Sequence, residues 1–385
     1  MNNTFKLAAV SSAALMLAAA PAMAQDGPTL KLGGFYDQKM SVQDQDSTAL
    51  VQSDVDVRQD VEIYFLGGVT LDNGLKIATR VELEGGTNDE AQISGGGNSV
   101  NAGSNNFDQI DEAFMTISGS FGSVKVGMSD TAAKSMTTGL QAMWASNVGE
   151  NATFNAGKLF VTPATVDGIG IANQMDFSSD GEQISYTTPS IAGLQVSVGY
   201  AQNNFETFDG LTTAALAADG DIFDIGVRYT GKFDDMSFRI GGGYAVANDQ
   251  TVGAEDDTMW MFGGNVRVGA FQLAASFSRL AETEIAGVTD VQGRDNLELG
   301  VRAFMGPSQY SIAYTHSKSS STVQADDGDT ADLVVLGMRR ALGKGVSWHN
   351  TVYYADLEDG DNAPAVGAVT SNDGWAVTTG IALKF

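Results

Sequence analysis

The 385-residue sequence contains no cysteine, two histidines (His316 and His349) and six prolines. Without cysteine there is no disulfide framework, no thiolate metal site and no thiol nucleophile. The histidines fall near strand ends with no serine and carboxylate pattern around them, so a hydrolytic site has little to be built from. Past the first 24 residues no apolar run approaches the roughly 20 residues that a spanning helix needs. Basic residues are scarce as well, with 21 Lys and Arg against 47 Asp and Glu and a formal charge of −26. No nucleic-acid partner is expected of such a chain.

What is present begins with an export signal. Lys6 precedes an apolar stretch, Leu7 to Ala20, that closes on Ala22-Met23-Ala24. This is the pattern of a secretory signal peptide, residues 1–24, cleaved before Gln25. The remainder, 25–385, reads as a single domain that is either soluble or crosses a membrane as strands.

Periodicity separates those two. In LKIATRVELE, from Leu75, one face carries Leu75, Ile77, Thr79, Val81 and Leu83, and the other carries Lys76, Arg80, Glu82 and Glu84. The same two-residue rhythm recurs in LQVSVGY, FDIGVRY, WMFGGNVRV, NLELGVRAF and the closing WAVTTGIALKF. It predicts sixteen strands, near 30–39, 55–71, 75–84, 110–118, 123–128, 182–187, 194–202, 222–230, 236–246, 258–268, 271–280, 294–305, 309–316, 331–340, 346–355 and 373–385. Tight links such as Asp72-Asn73-Gly74, Gly269-Ala270 and Gly306-Pro307-Ser308 alternate with long, polar, acidic ones. Short turns on one side and long loops on the other predict an all-β fold, a transmembrane antiparallel β-barrel. Aromatics near strand ends, among them Tyr36, Tyr64, Trp260, Trp348, Trp375 and Phe385, fit anchoring at the membrane interfaces.

In these stretches the chain resembles the general porins of bacteria, and most of all those of alphaproteobacteria. The segments that carry the resemblance are DEAFMTISGSFGSVKVG, QISYTTPSIAGLQVSVGY, GMRRALGKGV and GIALKF with its terminal Phe385. The resemblance implies a multi-pass protein of the bacterial outer membrane, a homotrimer, and a passive channel for ions and small hydrophilic solutes. It also implies contact with outer-membrane lipid and lipopolysaccharide, and a Phe385 that is similar to the signal read by the barrel-assembly machinery. A third outer loop that folds into the lumen is implied too, here residues 129–180, with Asp130, Glu150, Asp167 and Asp176 as its candidate acids. Strand parity points Arg58, Arg80, Lys125, Arg228, Arg239, Arg267 and Arg302 inward, and of these Arg58, Arg80, Lys125, Arg228 and Arg302 form the candidate basic wall. Arg80 and Arg58 stand at the better depth for a constriction, and neighbouring lumen carboxylates such as Glu62 or Glu82 are their alternative partners, while Glu298 shares the lumen.

The excess of acid in the mouth loops predicts moderate selectivity for cations. No cofactor is implied. Asp326, Asp327 and Asp329 offer hard oxygen ligands for calcium, against the plainer reading of a solvated acidic loop. A barrel hydrolase and a soluble secreted β-protein remain competing classes, separated by ester cleavage in detergent and by fractionation without it.

Overall fold

The structure, a computed structural model, describes residues 27–46, 54–84, 110–143, 147–148, 159–163, 166, 175–178, 180–203, 219–249, 256–281, 292–321, 328–360 and 369–385. The export segment 1–24 lies outside the described residues. The strands are β1 (Thr29–Gln45), β2 (Val55–Thr70), β3 (Lys76–Glu84), β4 (Ala113–Gly119), β5 (Gly122–Met128), β6 (Glu182–Thr187), β7 (Leu194–Asn203) and β8 (Asp219–Phe233). They continue as β9 (Met236–Asp249), β10 (Asp257–Val268), β11 (Phe271–Ala281), β12 (Gln292–Met305), β13 (Ser308–Ser321), β14 (Thr330–Gly343), β15 (Val346–Glu358) and β16 (Ser371–Lys384). Each pairs antiparallel with its sequence neighbours, and β1 closes on β16, so the sheet is a sixteen-strand barrel without an edge. A short helix, α1 (Ala132–Thr137), follows β5. No helix among the described residues is long and apolar enough to cross a membrane.

Apolar side chains stand outside and polar ones inside, the inverse of a soluble sandwich. Phe262 is 62% exposed on the outer face, whereas Glu298 is wholly buried on the inner one. A lipid solvent favours that arrangement, and closure satisfies every ladder hydrogen bond. The short turns follow their residues. Gly74 takes φ +82 and donates its N–H to Leu71 O at 2.8 Å, while Asn73 Oδ1 accepts from Leu75 N at 3.0 Å. At the seam the Phe385 N–H donates to Gly34 O and Gly34 N–H to Phe385 O, both at 3.1 Å.

Strands run further outward than their apolar alternation. β1 continues through Ser41-Val42-Gln43-Asp44-Gln45, and β13 through Lys318-Ser319-Ser320-Ser321. Above the lipid level both faces are wet, so the sequence loses its alternation while the ladder continues. Tyr64 also departs from the expected interfacial belt. It pairs with Glu82 across β2 and β3 and lies under the Arg80 guanidinium, 4.3 Å from ring centroid to Cζ, which turns it into the lumen.

Candidate constriction site

Irregular backbone inside a barrel must find partners for its N–H and C=O groups. The segment after β5 finds them on the lumen wall. Ala133 N donates to Asp224 on β8, and Ala142 N donates to Ser276 Oγ on β11 at 3.0 Å. Met143 N reaches Glu298 Oε2 on β12 at 3.1 Å, and Val148 N reaches Ser311 Oγ on β13 at 3.1 Å. Val161 N donates to Gln45 Oε1 on β1 at 2.8 Å, and Asn372 on β16 donates to Val161 O at 2.8 Å. The described parts of the segment therefore follow the inside of the wall from β8 round to β1.

Its start is fixed by helix chemistry. Thr131 caps α1, accepting from Lys134 N at 3.0 Å, and its hydroxyl donates to Met175 O at 2.6 Å, which joins the outgoing and returning arms. The helix lies on a floor of glycines. A Cβ on Gly226 would stand 2.6 Å from Met136 Cβ, and one on Gly243 would stand 3.2 Å from Ala133 Cβ. Further round, Leu159, Phe160 and Val166 pack with Met143 against Leu333, Val335, Tyr353, Ala355 and Leu357 of β14 and β15. Burying a Leu or Phe side chain completely is worth about 1.5–3 kcal/mol, so this apolar patch holds the segment as firmly as the hydrogen bonds do.

The charges gather where the segment leaves and re-enters the wall. Arg80 on β3 is ion-paired with Glu82 and, from Nε, with Glu112 Oε2 at 3.3 Å. Lys125 on β5 donates to Asp130 O at 3.0 Å and stands 5.1 Å from the centroid of the Phe114 ring. Lys134 holds both Asp130 Oδ1 and Asp176 Oδ2 at 2.6 Å. Burial works against its ammonium, but Asp176 and Asp130 outweigh that and hold the Lys134 pKa well above the lysine range. Asp180, beside β6, is pushed up to about 8 by burial and by the carboxylates of Asp176, Asp130 and Asp111, with Lys134 opposing. Glu112, Asp130 and Asp180 bring one carboxylate oxygen each within 4.8 Å of one another, the grouping among the described residues that could hold a metal ion.

The expected site residues do not form one cluster. Arg80, Lys125, Asp130 and Asp176 come together at the root of the segment, with the two acids engaged by the segment's own Lys134 rather than aimed across a gap. Arg58 points inward on β2 but is almost fully buried, with Nε 3.0 Å from Asp56 Oδ2 and Nη2 2.9 Å from Ser41 Oγ. Arg228 and Arg302 lie on the opposite wall. Arg228 reaches Ser135 O and Gln195 Oε1, both at 3.4 Å, and Arg302 Nε reaches Gln309 Oε1 at 2.9 Å. Glu150, Asp167, Asp326 and Asp327 lie outside the described residues. Asp329 serves the outer rim, where its carboxylate accepts from Gly360 N at 2.8 Å.

Sequence reasoning missed Asp224, the glycine floor and the wall serines. Their shared inward parity at Gly199, Gly226, Gly243 and Gly263 was the available signal. Among the described residues neither histidine meets a hydroxyl nucleophile. His349 Nε2 lies 2.7 Å from Asp37 Oδ1 inside the wall, and His316 Nδ1 lies 2.9 Å from Asp332 Oδ1.

Comparison with known proteins gives a consistent result. The profile of the Gram-negative porin family matches residues 11–360. Among solved structures, an anion-selective porin from Comamonas acidovorans is similar at 17% identity and TM-score 0.61, over 93% of this chain and 100% of that one. In-vitro folded OmpT of Vibrio cholerae in trimer form is similar at 12% identity and TM-score 0.59, over 94% and 100%. No curated protein sequence matches the chain.

Proposed function

Since the chain belongs to the Gram-negative porin family and is a multi-pass outer-membrane channel protein, we propose that ions and small hydrophilic solutes diffuse passively through a lumen narrowed by residues 129–180, with moderate preference for cations. What supports the narrowing is the succession of wall side chains, from Asp224 to Gln45, that bind the segment's backbone. Ion pairs facing a narrow aqueous gap set up a transverse field that favours hydrated, dipolar solutes over apolar ones. The excess of acid, 47 against 21, favours cations at the mouth, and salt screens that preference beyond about 8 Å at physiological ionic strength.

A homotrimer is part of this reading. Gln38 and Gln59 are cross-strand neighbours on the outer face, bridged by Tyr36 Oη at 3.0 and 2.9 Å, on a stretch of β1 and β2 otherwise facing lipid with Met40, Val57 and Ile63. Polar side chains within an apolar belt favour contact with another copy over lipid. The assignments of lipopolysaccharide and of Phe385 as assembly signal rest on family resemblance, supported by a terminal phenylalanine that is 61% exposed at the seam. No cofactor is assigned.

Planar-bilayer recording tests the proposal. Deleting the central part of 129–180 is expected to raise single-channel conductance, because a constriction in series limits flow through an otherwise wide barrel. Unchanged conductance overturns the narrowing. An anion-selective reversal potential in a low-salt potassium chloride gradient overturns the cation preference.

A further inference from the structure

Between the inward-folded segment and the short turns, the wall from β10 to β14 carries cations of a different kind. Arg267, Gln272 and Arg302 form one cross-strand row on β10, β11 and β12. Phe304, Gln309 and Arg339 form the next row, on β12, β13 and β14. The inward parity of both rows follows from their neighbours: Asn265, two residues before Arg267, binds Gly139 O at 2.7 Å, and Ser311, paired with Arg302, binds Val148 N. Glu298, which holds the segment, lies four residues to the outer side of Arg302, so the arginines stand on the short-turn side of the narrowing.

Like charges normally avoid such a gathering unless something separates or neutralises them. Here an aromatic ring supports two of them. The Cζ of Arg267 stands 3.9 Å from the Phe304 centroid and that of Arg302 stands 4.7 Å from it. A ring face attracts a guanidinium without cancelling its charge. Arg267 also donates to Gly269 O at 3.3 Å, and among the described residues no carboxylate pairs with it. It is exposed to the lumen, and Arg302 and Arg339 are half-exposed. Arg302 donates from Nε to Gln309 Oε1 at 2.9 Å. Arg339 has Asp37 as its acidic neighbour, and that carboxylate is already bound to His349 at 2.7 Å.

We propose that Arg267, Arg302 and Arg339, backed by Phe304 and flanked by Gln272 and Gln309, form a binding site for multiply charged oxyanions, oligophosphates before polycarboxylates, reached from the short-turn side. Guanidinium forks match the oxygen pairs of phosphate and carboxylate alike, and three of them on one wall favour a ligand with several charges over chloride. The two glutamine amides add neutral donors. The inference uses the channel reading only for the route of access, so binding and conduction are measured separately.

Tripolyphosphate is titrated calorimetrically into the mature protein in neutral detergent, and its block of potassium chloride current is recorded with addition to either side of a bilayer. Binding is expected, with R267Q/R302Q weakening it by roughly tenfold per guanidinium removed and R267K/R302K by less. If the double variant does not assemble, the single variants R267Q and R302Q carry the same test. Block is expected at lower concentration from the short-turn side. Citrate should bind less tightly than tripolyphosphate. Equal affinity in wild type and R267Q/R302Q overturns the site, and citrate binding as tightly as tripolyphosphate overturns the phosphate preference. Calorimetric binding without any conductance leaves the site standing and overturns the channel reading alone.

Discussion

The two sides of the lumen treat their cations differently. From β1 to β3 Lys39 is matched with Asp60, Arg58 with Asp56, and Arg80 with Glu82 and Glu112. From β8 to β10, Arg228 leans on a carbonyl and an amide and Arg267 on a carbonyl and a ring, and among the described residues neither has a carboxylate partner. Paired charges act as local dipoles whose influence fades quickly, whereas unpaired ones attract counter-ions across the lumen. The paired wall thus lies beside the proposed narrowing, and the unpaired one leads into the proposed oxyanion site.

The two walls differ in this way only if polar side chains line the lumen and apolar ones meet lipid, and breaking that arrangement carries the largest expected effect. Val301→Arg on the lipid face should impede assembly by about 2–4 kcal/mol near the midplane, read as loss of heat-modifiable electrophoretic mobility. Ala274→Arg faces inward but packs against Ala142 of the inner segment. Its barrel should assemble, with the segment displaced and conductance raised. Equal assembly failure in both variants would dissolve the distinction between the walls.

A smaller change sharpens the role of the floor under α1. Gly226→Leu forces a side chain into the space of Met136 and Ala133, and overpacking of this kind costs roughly 1–3 kcal/mol. Because the barrel ladder does not depend on that contact, thermal stability should hold while conductance rises and grows noisy. A quiet channel of wild-type conductance would mean that the helix is held by something other than its floor.

On the paired wall, Arg80→Gln removes one cation from beside Glu82 and Glu112. The freed carboxylates should shift the potassium chloride reversal potential further toward cations, most clearly at low salt. A shift toward anions would show that Arg80 does not face the permeation path.

How much of this was legible in the sequence depends on which neighbour each face has. Where one face meets lipid and the other water, as in Leu297 to Ala303, alternation gave both strand and facing. In β14 the run Leu333-Val334-Val335-Leu336 is apolar on both faces, because Leu333 and Val335 lie beneath Leu159 and Phe160. Such a run resembles a strand buried on both sides, and only the covering segment explains it. The closed topology and the inward basic positions were accessible from parity. The partners of Asp130 and Asp176 were not, since Lys134 reaches Asp176 across 42 positions of sequence through a return of the chain that no local pattern encodes.

The smallest expected effect concerns proton uptake at the root of the segment. Asp180 is half-buried beside Asp176, Asp130 and Asp111, and its pKa rises from the ordinary 3.8 to about 8. A carboxyl raised in the docked state binds its proton more tightly there than when the segment is released. Docking is therefore favoured by protonation, and that advantage declines as pH rises from about 4 to about 8 and then levels off. Lys134 does not contribute to the change, because its own pKa lies above this window. Conductance and current noise should be higher at pH 9 than at pH 6, recorded in EDTA so that no divalent ion on Glu112, Asp130 and Asp180 takes the place of the proton. Asp180→Asn should flatten this dependence toward the low-pH behaviour. If the variant kept the wild-type pH profile, or if wild-type conductance fell on going to pH 9, the clustered acids would not be what loosens the segment.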